Sequence, residues 1–309
     1  QSGRSGDLMA LDLAALKADA AKAKATLVLR PTDSQSVEQV ATTRNRLVVA
    51  LYDNVKGGVL SFRHDAKGWT STKLDLPADV SVGIASASDR DDRLILQVAG
   101  FLTPSTQLLA DAASGSRETL RTLPARFDAS KQVVEQHWAA SKDGTKVPYF
   151  LVRAKDMKLD GRTPTLLYAY GGFQVSQTPS YAATVGKLWL ERGGAYAIAN
   201  IRGGGEFGPR WHEAGLKLNR QRVYDDFFAV SEDLIARKVT SPAKLGIMGG
   251  SNGGLLMGVA LTQRPELYKA VVIQVPLFDM IGYTHIGAGA SWVGEYGDPA
   301  NPEERKVID

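Results

Sequence analysis

Hydrophobic and polar positions alternate in two different ways along the 309-residue chain. Up to about residue 128, short alternating runs are separated by polar turns, a pattern typical of half-exposed β-strands. The runs cover 46–54, 57–65, 68–77, 80–100 and 105–124. We therefore expect the first part of the chain to be built from antiparallel strands.

The first part also contains a weak internal repeat. The stretches "GWTSTKLDLP" (68–77) and "GSRETLRTLP" (115–124) share glycine, threonine, leucine and proline at a constant offset of 47 residues. A period of about 40–50 residues that holds four short strands is typical of propeller blades. The length admits two or three blades, fewer than the four or so that close a ring. A plain antiparallel sandwich is the alternative.

From about residue 129 onward, continuous apolar runs alternate with segments of helical spacing. A hairpin is predicted over 133–154, with its turn at Asp143-Gly144. Apolar runs cover 165–172, 195–203, 244–250 and 270–276, and helical spacing covers 222–238 and 251–265. Such runs suit parallel strands that are covered on both faces. We therefore predict domains at 1–128 and 129–309, the second with a doubly wound, mostly parallel α/β sheet.

Composition narrows the range of functions. The chain has 37 Lys and Arg against 33 Asp and Glu, and these charges are scattered, which does not favour a nucleic-acid partner. The absence of cysteine excludes disulfides, thiolate zinc sites and cysteine nucleophiles. No apolar run reaches the 18 or so residues of a membrane span. We expect a monomer without metal, cofactor, nucleic-acid or membrane partner, while the compartment stays open.

A serine flanked by glycines lies where strand-like sequence becomes helix-like sequence. Gly249-Gly250-Ser251-Asn252-Gly253 matches G-x-S-x-G, the turn that raises a nucleophilic hydroxyl above the sheet in α/β hydrolases. The following helix would direct its N-terminal N–H groups toward the same place. The alternative is an ordinary glycine-rich turn in which Ser251 caps the helix.

Several stretches of the chain resemble the prolyl oligopeptidases, serine peptidases in which a seven-bladed propeller covers an α/β-hydrolase domain. The stretches are "SKDGTKVPYFLV" (141–152), "LLYAYGGF" (166–173), "ANIRGGGEFGPRWHEAG" (199–215), "GGSNGGLL" (249–256), "QRPELY" (263–268) and "SWVGEYGDP" (291–299). They occur in family order, and the propeller part matches more loosely. The resemblance implies an α/β-hydrolase fold preceded by part of a β-propeller.

The resemblance also implies roles for individual residues. Ser251 matches the nucleophile, Asn252 the residue whose backbone N–H serves the oxyanion hole, and Tyr170 the second oxyanion donor. Four further residues match the pocket for the substrate proline: Phe173, Trp292, Tyr296 and Leu277. Leu277 replaces a smaller aliphatic residue that is usual in the family, which implies a narrower pocket floor. Proline has a rigid apolar ring and no N–H, so an aromatic pocket can select it by shape.

A serine hydrolase of this fold also needs an acid and a histidine, in the chain order Ser, Asp, His. Asp279 and His285 are in that order, so a triad with Ser251 is formally possible. In the family, however, the Asp and His lie beyond the point where this chain stops. The resemblance therefore implies that His212 and His285 are structural, and that the chain lacks blades and the catalytic Asp and His.

The implied function is a serine endopeptidase that cleaves oligopeptides on the carboxyl side of proline through an acyl-enzyme on Ser251. An acyl-aminoacyl peptidase or esterase on the same fold is the first alternative. A second is a nucleotide-binding dehydrogenase, since Gly203, Gly205 and Gly208 satisfy G-x-G-x-x-G and Asp225-Asp226 follow about 20 residues on. A non-catalytic propeller that binds a partner is the third, but it leaves the serine turn without a purpose.

Overall fold

The computed structural model describes residues 3–309, which divide into two compact units. Unit 1 comprises the described residues up to Gly100, with Ser105–Leu123 and Phe207–Arg210; unit 2 comprises Phe101–Pro104, Pro124–Glu206 and Trp211–Asp309. The domain limits of 1–128 and 129–309 stay a prediction. The two units are described one at a time.

Unit 1 contains, within the described residues, two four-stranded antiparallel sheets and a two-stranded ribbon. The ribbon is formed by β1 (Leu8–Ala10) and β2 (Thr26–Leu29), with the short helix α1 (Leu13–Ala18) between them. The first sheet has β3 (Gln35–Thr42), β4 (Leu47–Asp53), β5 (Lys56–Asp65) and β6 (Gly68–Lys73). The second has β7 (Ser81–Ala87), β8 (Arg93–Ala99), β9 (Thr106–Asp111) and β10 (Arg117–Thr122).

Each four-stranded sheet of unit 1 is a meander of consecutive strands. The strand orders are β3-β4-β5-β6 and β10-β9-β8-β7. Every neighbouring pair is antiparallel, and among the described residues no strand passes from one sheet to the other. This is the topology of propeller blades. The blade prediction is confirmed, and the sandwich alternative is not observed.

The 47-residue repeat marks equivalent turns of the two blades. Gly68 begins β6 with φ at 102°, and Gly115 lies just before β10 with φ at 77°. Both glycines therefore sit in the hairpin that joins the third strand of a blade to the fourth. A Cβ at either position would meet nothing within 4 Å. The backbone conformation, and not a lack of space, is what favours glycine there.

Unit 2 contains a six-stranded sheet in the described part of the chain, with the order β11-β12-β14-β13-β15-β16. Its strands are β11 (Gln132–Ala140), β12 (Lys146–Ala154), β13 (Thr165–Tyr168), β14 (Ala195–Ala199), β15 (Leu245–Gly250) and β16 (Ala270–Gln274). Strands β11 and β12 form the predicted hairpin, and Gly144 in its turn has φ at 84°. Strand β12 is antiparallel to β14, while β14, β13, β15 and β16 are mutually parallel. The predicted mostly parallel sheet is confirmed.

The remaining helices are short except for two. They are α2 (Ala183–Leu188), α3 (Pro209–Glu213), α4 (Gln221–Ala236), α5 (Asn252–Gln263), α6 (Val293–Tyr296) and α7 (Pro302–Ile308). Turns of 3-10 helix lie at Leu190–Arg192, Lys217–Asn219, Pro265–Leu267, Tyr283–His285 and Gly289–Trp292. None of the helices in residues 3–309 is long and apolar enough to cross a membrane.

The core of unit 2 lies between the parallel strands and the helices α4 and α5. Phe227 and Leu256 from these helices are fully buried, together with Leu167 and Ile247 from the strands. The strand order reverses beside β13, because the chain continues first to β14 on one side and later to β15 on the other. In open α/β sheets a crevice for ligands forms at the carboxyl ends of the strands at such a reversal. The loop after β13 and the turn after β15 both begin there.

Candidate active site

Ser251 forms a sharp turn between the end of β15 and the start of α5. Its backbone has φ at 57° and ψ at −119°, in a region that residues other than glycine rarely adopt. Two backbone hydrogen bonds fix the turn: Ser251 N donates to Gln274 O at 3.0 Å, and Leu255 N donates to Ser251 O at 3.1 Å. The serine is exposed, and its side chain does not cap the helix. The helix-capping alternative is therefore not observed.

Glycines let the strand and the helix cross closely at this turn. A Cβ at Gly249 would lie 2.4 Å from the carbonyl oxygen of Gly253. A Cβ at Gly253 would lie 2.9 Å from the carbonyl oxygen of Ala169. Both distances are too short for a carbon, and backbone atoms cannot move aside easily. The glycines of the G-x-S-x-G motif are therefore required by close packing around the serine.

Asn252 is the first residue of α5, and its side chain is fully buried. Its backbone N–H belongs to the helix N-terminus, where donors have no carbonyl partner within the helix. Its side-chain Nδ2 donates to Tyr170 O at 2.6 Å, and its Oδ1 accepts from the hydroxyl of Tyr296 at 2.7 Å. The Nη2 of Arg220 donates to the same Oδ1. These bonds join the serine turn to three other parts of the unit.

The loop after β13 brings Tyr170 and Phe173 next to the serine turn. Tyr170 is half-buried, and its carbonyl oxygen accepts the amide of Asn252. A Cβ at Gly172 would lie 2.6 Å from the Nδ2 of Asn252, so glycine lets the loop press against that amide. Phe173 has φ at 54° and is anchored by its N–H, which donates to Glu295 Oε1 at 3.0 Å. The predicted second oxyanion donor thus lies on a loop that is bonded directly to the serine turn.

The four residues predicted to line a proline pocket lie in one apolar cluster. The cluster contains buried Leu255, Tyr283 and Tyr296, with half-buried Phe173, Leu277, Met280, Trp292 and others packed against them. The ring of Tyr296 meets Phe173 edge to face at 5.7 Å between centroids. The ring of Tyr283 stacks on Trp292, with planes 7° apart and centroids at 6.5 Å. The structure therefore brings Phe173, Trp292, Tyr296 and Leu277 together.

Three residues of this region, Tyr283, Arg220 and Glu295, were missed by the sequence analysis. The ring of Tyr283 stacks on the ring of Trp292, and its hydroxyl donates to Gly297 O. Arg220 and Glu295 form a buried pair next to Asn252 and Phe173, and His212, which the resemblance implied to be structural, is hydrogen-bonded to Glu295. A charged residue between two aromatic ones, as in "SWVGEYGDP", is the signal that could have indicated Glu295. Arg220 carried no such signal.

Two profiles of one family match the chain. "Prolyl oligopeptidase, N-terminal beta-propeller domain" matches residues 3–122, and "Prolyl oligopeptidase family" matches residues 179–308. The chain belongs to the prolyl oligopeptidase family. The predicted family is thus confirmed, as is the fold of an α/β hydrolase preceded by part of a β-propeller.

Individual members of the prolyl oligopeptidase family are similar to most of this chain. The uncharacterized peptidase y4nA of Sinorhizobium fredii is 58% identical over 97% of the chain and 41% of its own length. The prolyl endopeptidase of Elizabethkingia miricola is 36% identical over 78% of the chain and 34% of its own length. A solved post-proline cleaving enzyme from Rickettsia typhi matches all of the chain and 45% of its own, with 41% identity and a TM-score of 0.91. The chain spans less than half the length of each.

Two histidines of this prolyl oligopeptidase chain are hydrogen-bonded to glutamates, and a third is exposed. His212 Nε2 bonds to Glu295 Oε2 at 2.7 Å, and His137 Nε2 bonds to Glu135 Oε2 at 3.2 Å. His285 is exposed at the end of a 3-10 helix. Asp279 instead closes a turn, because its Oδ1 accepts from Gly282 N at 2.7 Å. Among residues 3–309, no hydrogen bond joins Ser251, Asp279 and His285 into a triad.

The geometry of the glycine-rich segment does not favour a dinucleotide site. The helix α3 that follows Gly203, Gly205 and Gly208 has only five residues. Asp226, which would have to bind a ribose, is fully buried and accepts bonds from Ser141 Oγ at 2.6 Å and Arg202 Nη2 at 2.6 Å. The segment therefore lacks the long helix that the motif requires, and the carboxylate of Asp226 is already bonded. In the described part of the chain, no group of three or more His, Cys, Asp or Glu could hold a metal ion.

Proposed function

We propose that this chain carries the nucleophile and the proline pocket of a serine endopeptidase that cleaves oligopeptides on the carboxyl side of proline. One observation carries the proposal: the exposed Ser251 lies on a strained turn whose neighbouring residue is hydrogen-bonded both to the Tyr170 loop and to the aromatic cluster. The family assignment supports peptidase chemistry. The names of the prolyl endopeptidase and the post-proline cleaving enzyme support the specificity.

In this proposal the aromatic cluster selects the substrate. The proline ring packs against Trp292 and Phe173, and Leu277 limits the depth of the pocket. The stacking of Tyr283 on Trp292 holds the indole plane in a fixed orientation for such contact. Because the pocket is apolar and proline lacks an N–H, recognition depends on shape and on apolar area removed from water.

The same arrangement supports acyl transfer. The Oγ of Ser251 attacks the carbonyl carbon that follows the proline ring, and the negative charge moves to the carbonyl oxygen. The N–H of Asn252 and the hydroxyl of Tyr170 donate hydrogen bonds to that oxygen. When the C–N bond breaks, the amine leaves with the proton taken from Ser251. Water then hydrolyses the ester and restores the serine.

We propose that the proton is moved by a histidine, oriented by an aspartate, that residues 1–309 do not contain. The bonds of His212 and His137 to glutamates, together with the exposure of His285, support this assignment. Asp279 is likewise engaged with Gly282. The complete protein that contains this chain is therefore the form in which activity is to be tested.

The test compares two chromogenic substrates on the complete protein. We expect hydrolysis of a blocked Gly-Pro amide, loss of that activity in Ser251→Ala, and slow reaction with a simple acyl ester. Ser291→Ala is a matched control, because Ser291 lies in the 3-10 helix that ends at Trp292 and its hydroxyl donates to the local backbone oxygen of Ala288. Fast ester hydrolysis with no amide hydrolysis would favour the esterase alternative. Full amide hydrolysis by Ser251→Ala would exclude Ser251 as the nucleophile.

A further inference from the structure

We infer that Arg220 is a positioning residue for the Ser251 turn and the Tyr170 loop, and that Glu295 holds Arg220 in place for this role. The inference deepens the proposed function and rests on it, because it assigns an origin to the geometry of the oxyanion donors. In the proposed function neither Arg220 nor Glu295 contacts the substrate.

Arg220 lies immediately before helix α4 and is almost completely buried, with 4% of its surface exposed. Its Nη2 donates to the Oδ1 of Asn252, and its Nη1 donates to Glu295 Oε1 at 2.8 Å. The guanidinium also lies over the ring of Tyr296, 5.0 Å from the centroid. The side chain of Arg220 therefore contacts Asn252, Glu295 and Tyr296 at the same time.

Glu295 extends these contacts to the pocket loop. Its Oε1 accepts both from Arg220 and from the backbone N–H of Phe173, at 2.8 and 3.0 Å. Its Oε2 is hydrogen-bonded to His212 Nε2 at 2.7 Å. Because both oxygens are bonded and the residue is 5% exposed, the carboxylate has little freedom to rotate. It fixes the guanidinium and the start of the Phe173 loop at the same time.

The orientation of Asn252 depends on this pair. Its Oδ1 accepts from Arg220 and Tyr296, which leaves its Nδ2 to donate to Tyr170 O. A reversed amide would turn an N–H group toward the guanidinium of Arg220, which can only donate, and its oxygen toward Tyr170 O, so those two bonds would be lost. Arg220 therefore determines which way the amide faces, and through it the distance between the loop that carries Tyr170 and the turn that carries Ser251. Oxyanion donors act only when that distance is correct.

A buried ion pair can also serve stability alone, so the experiment must separate the two roles. We would measure kcat and KM of the complete protein on a Gly-Pro chromogenic amide for Arg220→Met and Arg220→Lys. Arg153→Met is the matched control, because Arg153 also pairs with a glutamate in unit 2, donating from Nε and Nη2 to Glu135 on the β11–β12 hairpin. In parallel, amide hydrogen exchange would be followed in segments 170–174 and 251–256.

For Arg220→Met we expect kcat to fall about 10–100-fold, the size of effect that a small misplacement of reacting groups produces. KM should change by less than about threefold, because the contacts that bind substrate and transition state equally are retained. Exchange in both segments should accelerate, Arg220→Lys should recover part of kcat, and Arg153→Met should keep wild-type values. If Arg220→Met does not fold, Arg220→Lys carries the comparison.

Unchanged exchange in both segments would overturn the inference, and so would equal acceleration in Arg153→Met. A loss of kcat that lysine does not partly restore would also count against it. An inactive wild-type protein would contradict the proposed function. The exchange measurement would still decide whether Arg220 positions the two segments, so the two failures are distinguishable.

Discussion

At the scale of single residues, the arrangement around Ser251 depends on Asn252. Its backbone N–H is available to a ligand at the start of α5, while its buried side chain is bonded to Tyr170, Tyr296 and Arg220. In the proposed mechanism, one residue therefore combines a donor for the reaction with the contacts that set the position of a second donor. A substitution here would change both at once, which makes Tyr170 the better position for isolating a single effect.

We predict that Tyr170→Phe in the complete protein lowers kcat about 10²–10³-fold, the usual cost of removing one oxyanion donor. The change keeps the ring and the backbone carbonyl that accepts from Asn252, so the loop should keep its position. Steady-state kinetics on a Gly-Pro amide would measure the effect, with KM nearly unchanged. Wild-type kcat in this variant would remove the hydroxyl from the mechanism.

Local patterns predicted the serine turn, but not the residues behind it. The sequence around Ser251 carries its own signal, because the glycines and the strand-to-helix change are adjacent in the chain. Arg220 meets Asn252 across a separation of 32 residues, and Glu295 meets Arg220 across 75, so both contacts arise only through tertiary packing. Tyr283 was missed for the same reason, since its stacking on Trp292 depends on how the loop between β16 and α6 folds. The roles of the predicted residues stay predictions until kinetics tests them.

At the scale of elements, the blades of unit 1 are hairpins joined by turns that aspartates stabilise. Asp91, between β7 and β8, accepts from the N–H and the Nε of Arg93 at 3.0 and 2.8 Å. The hydrogen bond to the Arg93 side chain is the main reason why the pKa of Asp91 falls to about 2. A carboxylate with a lowered pKa stabilises the folded state only while it is ionised.

We predict that Asp91→Asn destabilises unit 1 at neutral pH, and that the difference from wild type shrinks on acidification. The folded-state pKa lies below the unfolded-state value of about 4, so the stabilisation is complete above that pH. It disappears as the pH falls through about 2. Urea unfolding at a series of pH values would measure the difference, with exposed Asp89→Asn in the same turn as a control. A difference independent of pH would contradict the assignment.

The elements themselves were predicted closely where the pattern was regular. The hairpin at Gly144, the parallel strands and the helices α4 and α5 follow from apolar runs and helical spacing. Strand β3 was not predicted, because its exposed residues give no clear alternation. The strand order in unit 2 depends on pairing between distant segments, which a single sequence does not contain.

At the scale of the whole molecule, the chain contains a blade unit and a unit that carries Ser251, each with its own core. The blade unit has two four-stranded sheets in its described residues. The relatives reported above are more than twice as long as this chain. Activity measured on the polypeptide of residues 1–309 alone therefore tests how much the contacts around Ser251 achieve without the additional parts that the relatives have.

We predict that residues 1–309 expressed alone hydrolyse a Gly-Pro amide no faster than the same polypeptide with Ser251→Ala. No histidine of residues 3–309 bonds to Ser251, and without a base the serine stays protonated and weakly nucleophilic. Only residual catalysis by oxyanion donors and binding would remain, about 10³–10⁴-fold over water at most. Release of the chromophore at the rate of the complete protein would contradict the proposed origin of the base.

The backbone of Ser251 has a consequence for evolution and engineering. With φ at 57°, the backbone at this position is strained for serine. Glycine adopts such a conformation without the conformational cost of about 1–3 kcal/mol that other residues have. A search for heat-resistant variants that ignores activity would therefore accept glycine at this position and lose the hydroxyl. Selection for turnover and selection for thermal tolerance act here in opposite directions.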